Sequence, residues 1–383
     1  MNGLKHPRGG EYLCSEIIIR LDRKYFEPIV VYMFRNHLIE KLEARGITTF
    51  KVSFKSEIAF IDPLKSRLYN PIFLFKLFYS IYQSKIFFQI SNHVKNEDID
   101  LFYCADNISK LIGGIIGKFK KKPVFGHCHD IFSVREYYPF SLGWIMRMVN
   151  LIFLDKVFAV SDEVKKSFSL FGYRPKKVQT LYNALDYDEF NPNNFNTSLK
   201  NKLKIRPNEI IVGNFGSLDK NKGQKQIIEA IYSLKKRGME NFKCILCGIG
   251  PMENKLKMIV EKQGMLNDII FVGHVEDLRP YYKILDIYIS ASKIESFSMT
   301  SLEAMSMQVP IIATNVGGVS ELVTDKVGVL VEYGNAFQLT KAIESLSKDK
   351  GLRLKLGQMG RQRVMEDYSI LNYIDNFQKK ILD

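Results

Sequence analysis

Short apolar runs alternate along the chain with longer stretches whose apolar residues recur at helical spacing. Residues 27–34 (EPIVVYMF), 47–54, 100–104, 123–127, 156–160 and 178–182 are short and rich in β-branched or aromatic side chains, and each predicts a strand. Helices are predicted at 11–25, at 36–45 with Gly46 as its stop, and after Ser161, a good N-cap. Residues 191–209 (NPNNFNTSLKNKLKIRPNE) are polar throughout, rich in Asn and interrupted by two Pro, which predicts a linker. The alternation then restarts. Strands are predicted at 210–215, 242–247, 269–272, 287–290 and 310–313, and helices at 224–237, 252–263, 278–284, 300–307 and 319–323. Strands alternating with helices predict βαβ units, parallel doubly wound sheets and two α/β domains about a hinge. In such folds a ligand is expected in the cleft between the domains, at the carboxyl ends of the strands.

Composition narrows the class. The 383 residues are 46% hydrophobic and 25% charged, a globular balance that excludes wholesale disorder. Five cysteines at 14, 104, 128, 244 and 247 suggest no disulfide framework, so a reducing compartment is expected. Cys244 and Cys247 form a C-x-x-C inside an apolar run with no second Cys/His pair nearby, and read as a buried strand rather than a metal or redox site. The formal charge is +14, and residues 1–200 carry 29 Lys and Arg against 20 Asp and Glu, net +9. That balance favours anionic partners: nucleic acid, anionic lipid or phosphorylated ligands. Recognisable nucleic-acid motifs are missing and the basic residues are dispersed, which places nucleic acid last. The start, MNGLKHPRGGEY, lacks the apolar core of a signal peptide, and no run suits a spanning helix. Two aromatic, weakly basic segments, 71–90 and 137–154 (with the only Trp, Trp144), fit either core helices or helices lying on an anionic membrane face.

Several loops carry candidate chemistry. In 290–305 (SASKIESFSMTSLEAM) Glu295 lies just past a strand and Glu303 just inside a helix. Thr300 and Glu303 fit a capping box. The same loop-to-helix entry offers free amides to a phosphate, flanked by carboxylates for sugar or ribose hydroxyls. The turn Gly216-Ser217-Leu-Asp-Lys220-Asn-Lys222-Gly223 lets the backbone approach an anion and supplies a cation, without the order of a Walker loop. Gly248-x-Gly250 after a strand is half of a dinucleotide fingerprint. Gly9-Gly10 and Gly317-Gly318 each open a helix. At 127–130 (HCHD), His127 and His129 share one face of a strand end and Cys128 the other. A metal there would need further ligands, so no metal site is assigned. The alternatives for the pair are a polar or acid–base contact at a cleft mouth and a structural strand end.

In order, these elements resemble one family. Asn183-Ala-Leu-Asp186-x-x-x-Phe190, Lys222-Gly223, Gly248-x-Gly250, Glu295-x7-Glu303-Ala-Met and Gly317-Gly318-x-x-Glu321 are similar to the signature series of the GT-B glycosyltransferases of family 4, glycosyl transferases group 1. The match is close from 178 to 335 and weaker through 156–171, 123–130 and the Gly9-Gly10 loop. The resemblance implies two Rossmann-like domains with an interdomain cleft: an acceptor-side domain at 1–190, a linker at 191–208, a donor-binding domain at 209–365, and a terminal helix at 366–383 packing back on the first domain. It implies a retaining, metal-independent transfer from a nucleotide-sugar donor, without a cofactor. The implied acceptor is a cell-envelope glycan or lipid-linked sugar, and the implied location the cytoplasm, with peripheral contact to the inner membrane face. On this resemblance Glu303 holds the ribose, Glu295 the donor sugar, and Lys222 the diphosphate. Gly216, Ser217, Gly248 and Gly250 line the donor. The amides of Phe297, Ser298, Met299 and Thr300, with Gly9 and Gly10, complete the phosphate cradle, and His129 lies near the transferred sugar.

Two departures qualify the resemblance. The family usually places Arg five residues before the Lys, where this chain has Ser217, and one charged hydrogen bond is worth about 1.5–3 kcal/mol. The family's first strand normally precedes the Gly-Gly loop, where this chain has only MNGLKHPR, so the first domain is expected to lack that strand, with a start further upstream as the favoured reason. Alternatives are therefore a nucleotide-sugar-binding subunit without catalysis, and another GT-B enzyme such as a sugar-nucleotide epimerase or a phosphorylase.

Overall fold

The computed structural model describes residues 9–52, 85–93, 98–131, 142–169, 175–195 and 198–382. The chain divides into two compact units, residues 1–181 with 376–383, and residues 182–375. The first eight residues, where the missing strand was expected, lie outside the described residues, as do 71–84 and 137–141 of the two aromatic segments and the side chain of Trp144.

In the first unit α1 (Gly9–Arg20) leads to a parallel pair, β1 (Ile29–Tyr32) and β2 (Thr48–Lys51), joined through α2 (His37–Glu43). Asn36 caps α2, its Oδ1 accepting from the Leu38 and Ile39 amides, and Gly46 turns the chain at φ +71°. After α3 (Ile86–His93) come β3 (Phe102–Cys104), α4 (Asn107–Lys120), β4 (Val124–Cys128), α5 (Leu142–Phe153), β5 (Lys156–Ala159), α6 (Asp162–Ser169) and β6 (Val178–Thr180). The strands β3–β6 form a parallel sheet in chain order. A capping box between Asp106 and Ser109 starts α4, and Ser161 Oγ accepts the Val164 amide at the start of α6.

The second unit opens with α7 (Leu199–Lys202) and continues β7 (Ile210–Phe215), α8 (Gln224–Lys236), β8 (Phe242–Cys247), α9 (Glu253–Lys262), β9 (Ile269–Gly273), α10 (Arg279–Ile284), β10 (Ile287–Ser290), α11 (Met299–Ser306), β11 (Ile311–Thr314), α12 (Val319–Leu322), β12 (Gly328–Val331), α13 (Ala336–Lys348) and α14 (Lys350–Asp367). Its six parallel strands lie in the order β12-β11-β10-β7-β8-β9. The order reverses between β7 and β10, which makes the carboxyl ends of those two strands the topological switch point. Strands buried on both faces explain the near-continuous apolar runs of β8 and β10, and the buried thiols of Cys244 and Cys247 belong to that core. Burial pushes the Cys244 thiol up to about 12. Among the described residues no helix is long and apolar enough to cross a membrane.

The chain leaves the first unit at 181, ahead of the expected boundary at 190, and the polar stretch 191–208 is no free linker. Its neighbourhood is pinned to the second unit by cations on backbone oxygens. Arg361 donates to the carbonyls of Tyr187, Phe190 and Ser306, and Lys283 donates to the Pro192 carbonyl. Leu185 forms a bridge with Ser369. The last helix, α15 (Ile370–Leu382), belongs to the second unit through Asp375 and to the first from Asn376, so the return falls at 376 rather than 366. Phe377 packs edge-on against Tyr103 at 5.3 Å and is 2% exposed, and Lys156 donates to the Lys380 carbonyl at 2.6 Å.

Gly248 adopts φ +140°, and a Cβ there would run into the Gly216 carbonyl oxygen. Gly46 also has positive φ but open space around it. Gly46→Ala is therefore expected to cost about 1 kcal/mol, and Gly248→Ala at least about 3 kcal/mol, because backbone strain and a backbone clash add. Denaturant unfolding of the two variants checks the ordering.

Candidate functional site

The predicted residues of the second unit converge at the switch point. The loop after β7 carries Gly216 to Gly223, and the loop after β10 carries Ala291 to Ser298. The two are sewn together. The Lys293 amide donates to the Asn221 carbonyl at 2.6 Å, and Gly223, at φ +71°, lies so close to the Ala291 carbonyl that no Cβ fits. This approach sets Lys222 Nζ 2.7 Å from Glu295 Oε2. Ser292 Oγ donates to the same oxygen at 3.1 Å, and the Gly318 amide, after the Gly317-Gly318 turn, donates to the Glu295 carbonyl at 3.1 Å. Both side chains keep solvent access, 34% for Lys222 and 15% for Glu295. Gly250 packs its backbone against that of Leu218, and the Gly216 amide donates to the Cys247 carbonyl, joining the β8 loop to the β7 loop.

The start of α11 differs from the expected capping box. The N-cap is Ser298, whose Oγ accepts the Ser301 amide, and Glu303 does not reach back to Thr300. Glu303 is instead held by Tyr282, whose hydroxyl lies 2.8 Å from Oε2 and 3.0 Å from the Thr300 carbonyl. Burial pushes the Glu303 carboxyl up to about 7, against the lowering effect of the Tyr282 hydroxyl. The Phe297 side chain is core, 5.7 Å from Tyr368 and 6.2 Å from Tyr182 ring to ring, so its amide alone is left for a ligand. Met299 and Thr300 are half-buried at the helix start.

Ser217 is exposed and its hydroxyl donates to Asp219 Oδ2 at 2.6 Å. Lys220 is exposed and makes no side-chain hydrogen bond or ion pair among the described residues. The Ser217 carbonyl is held by Gln224 Nε2 at 2.9 Å. Gln224, Ser292 and Tyr282 are site residues the sequence reading missed. Gln224 and Tyr282 lie in segments read as helices and Ser292 in the candidate loop 290–305, and the hydroxyl or amide has no signal beyond its place beside a motif.

In the first unit, α1 begins at Gly9, and a Cβ on Gly10 would come within 3.3 Å of the His129 ring. His127 and His129 stack at 4.4 Å, as their shared face predicts. His129 is half-buried, and burial and then the Lys110 charge bring its imidazole down to about 4. Among the described residues no three His, Cys, Asp or Glu side chains gather as a metal site.

The family model described as Glycosyl transferases group 1 matches residues 195–363, and that described as Glycosyltransferase Family 4 matches residues 7–189. The chain belongs to the group 1, family 4 glycosyltransferases. Among similar glycosyltransferases, the capsular polysaccharide biosynthesis enzyme CapM of Staphylococcus aureus is 23% identical over 68% of this chain and 70% of its own length. The lipopolysaccharide core mannosyltransferase LpsB of Rhizobium meliloti is 28% identical over 60% and 65%. The solved structure of Anabaena HepE with UDP-glucose superposes with a TM-score of 0.82 at 19% identity, covering 99% of this chain and 97% of that one. The fold is thus the two-domain, Rossmann-like GT-B fold of this glycosyltransferase family.

The folded value of Glu303 lies above its ordinary 4.5, so the folded state favours its protonated form. The stability this group contributes is complete below about 4.5 and is lost as pH rises through about 7. Glu303→Gln is expected to remove that loss, becoming more stable relative to wild type at pH 8 than at pH 5. Denaturation midpoints across this range check it.

Proposed function

We propose that this glycosyltransferase is a retaining, metal-independent enzyme that transfers a sugar from a nucleotide-sugar donor to a cell-envelope glycan or lipid-linked acceptor. The observation that carries the reading is the Lys222–Glu295 pair at the switch point, beside the start of α11. Supporting it, CapM acts in capsule biosynthesis, LpsB in the lipopolysaccharide core, and HepE was solved with UDP-glucose.

In this reading the bond between the anomeric carbon and the diphosphate breaks as the acceptor oxygen bonds to the same face of the sugar. The acceptor's proton passes to the leaving phosphate. Charge grows on the diphosphate, and Lys222 with the amides at 297–300 offsets it. Glu295 has Oε1 without a partner among the described residues, and that oxygen accepts a donor-sugar hydroxyl. Ionised Glu303 accepts from the ribose hydroxyls, and His129 borders the transferred sugar as a neutral imidazole. No cofactor takes part. Because the Arg position is occupied by Ser217, Lys222 carries more of the diphosphate charge alone.

A screen of nucleotide sugars with nucleotide release as readout tests the activity. Binding without turnover across the screen would favour the non-catalytic alternative. Lys222→Ala and Glu295→Ala are each expected to lower turnover about 10²–10³-fold, the scale of a lost transition-state contact, with circular dichroism unchanged. Wild-type rates in either variant would overturn the site.

We further propose a cytoplasmic location with peripheral contact to an anionic membrane face, supported by the net +9 of residues 1–200. Liposome binding is expected to require anionic lipid and to weaken with salt. Sedimentation with neutral and anionic vesicles at two salt concentrations checks this.

A further inference from the structure

Tyr282 of α10 is 0% exposed, and its ring is packed against those of Phe215 at 4.7 Å and Tyr288 at 5.7 Å. Close packing fixes where its hydroxyl points. Burial, and then the Glu303 charge, push that hydroxyl well above the ordinary tyrosine value, so it keeps its proton. The single proton has two acceptors within reach, the Thr300 carbonyl at 3.0 Å and Glu303 Oε2 at 2.8 Å.

The protonation state of Glu303 decides how the two contacts are used. An ionised carboxylate takes the Tyr282 proton, and the Thr300 contact is left without one. A carboxyl protonated on Oε2 donates to the tyrosine oxygen, which donates in turn to the Thr300 carbonyl, so both contacts are hydrogen bonds. The two distances therefore fit the neutral carboxyl. No cation opposes this: Glu303 pairs with no Lys, Arg or His among the described residues. The groups around it are Tyr288 of β10, whose hydroxyl donates to the Phe215 carbonyl at 3.3 Å, and Glu189, which works against ionisation and is itself paired with Arg279 at 3.2 Å. Cys247 of β8 acts on Tyr282 with a thiol that burial keeps neutral. From α14, packed on α11, Arg361 reaches the Ser306 carbonyl instead. Glu303 is half-buried, and its Oε1 has no partner among the described residues.

We propose that Tyr282 is a positioning residue for the donor nucleotide: it ties Oε2 of a neutral Glu303 and leaves Oε1 for the ribose, and when the ribose hydroxyls bind it turns its proton from the Thr300 carbonyl to Glu303, whose own proton leaves to solvent. The choice of ribose rests on the role given to Glu303 in the proposed transfer. Among the effects on Glu303, only the Tyr282 hydroxyl lowers its value, so loss of that hydroxyl disfavours the ionised form. Ribose binding without it should need a higher pH.

The test measures binding of UDP, GDP and ADP to the full chain by calorimetry from pH 6 to pH 9, each against its dideoxy analogue, which lacks both ribose hydroxyls. A terminal phosphate titrates at about 6, and the analogue cancels that contribution. In wild type the preference for the ribose form is expected to rise about tenfold between pH 6 and pH 8, the change in ionised fraction of a carboxyl at about 7. Glu303→Gln should make it flat. Tyr282→Phe should lower it about fivefold at pH 7 and restore it by pH 9, the effect of one hydrogen bond on the carboxyl. A rise at the wild-type pH in Tyr282→Phe overturns the proposal. So does an equal loss at every pH, which would mark a structural tyrosine. A ribose preference independent of pH in wild type also overturns it and leaves the transfer reading standing, whereas binding of none of the three nucleotides overturns both. If Tyr282→Phe does not fold, wild-type calorimetry at pH 6 in buffers of different protonation enthalpy decides. Release of about one proton more with the ribose form than with its analogue supports the proposal, and equal release overturns it.

Discussion

The second unit depends on how closely three loops approach one another at the carboxyl edge of its sheet. Gly223 lies against the Ala291 carbonyl, Gly248 against that of Gly216, and Gly250 against Leu218, each with no room for a side chain. Parallel strands put their following loops on one edge, and the order reversal between β7 and β10 leaves a gap there. The glycines bring the backbones across that gap. Lys222 and Glu295 meet because the residues beside them are already fixed, so the pair needs little ordering of its own.

Electrostatics then divides the site. Glu295 lies opposite a cation and beside a serine hydroxyl, with solvent at hand. Glu303 is held in the interior by a tyrosine and resists ionisation until pH nears 7. Two carboxylates with seven residues between them thus sit in different surroundings, one at the solvent edge beside a cation and one in the interior. A ligand that offers hydroxyls to Glu303 must stabilise its charged form, which couples ligand binding to proton release.

Much of this was legible in the chain. The strands at 210–215, 242–247 and 287–290 have the expected bounds, because strands buried on both faces are uninterrupted apolar runs between turn residues. Glu295, Lys222 and the glycines were recognisable because each sits where a strand ends and a helix begins. Of the two readings of Glu303, the capping box does not form: Thr300-x-x-Glu303 has its spacing, but the actual cap, Ser298, lies two residues earlier. Segment 191–208 was misjudged because polarity reads as freedom, whereas the carbonyls near its start are held by Arg361 and Lys283, far along the sequence. Tyr282 had no signal, because its importance comes from burial, which depends on the tertiary fold.

The last helix carries a consequence for how the protein is made. Phe377 completes the packing around Tyr103 and Phe158, and Gln378 accepts the Asp22 amide at 2.6 Å. The first unit therefore takes in residues from both sides of the second unit in the sequence. Domains usually fold as they are synthesised, amino-terminal first. Here the order is inverted at the final step: the 194 residues of the second unit are translated before the earlier unit can close its own interior. Until residues 376–382 emerge, the nascent first unit leaves the apolar surface of Tyr103 and Phe158 without the ring that packs on it.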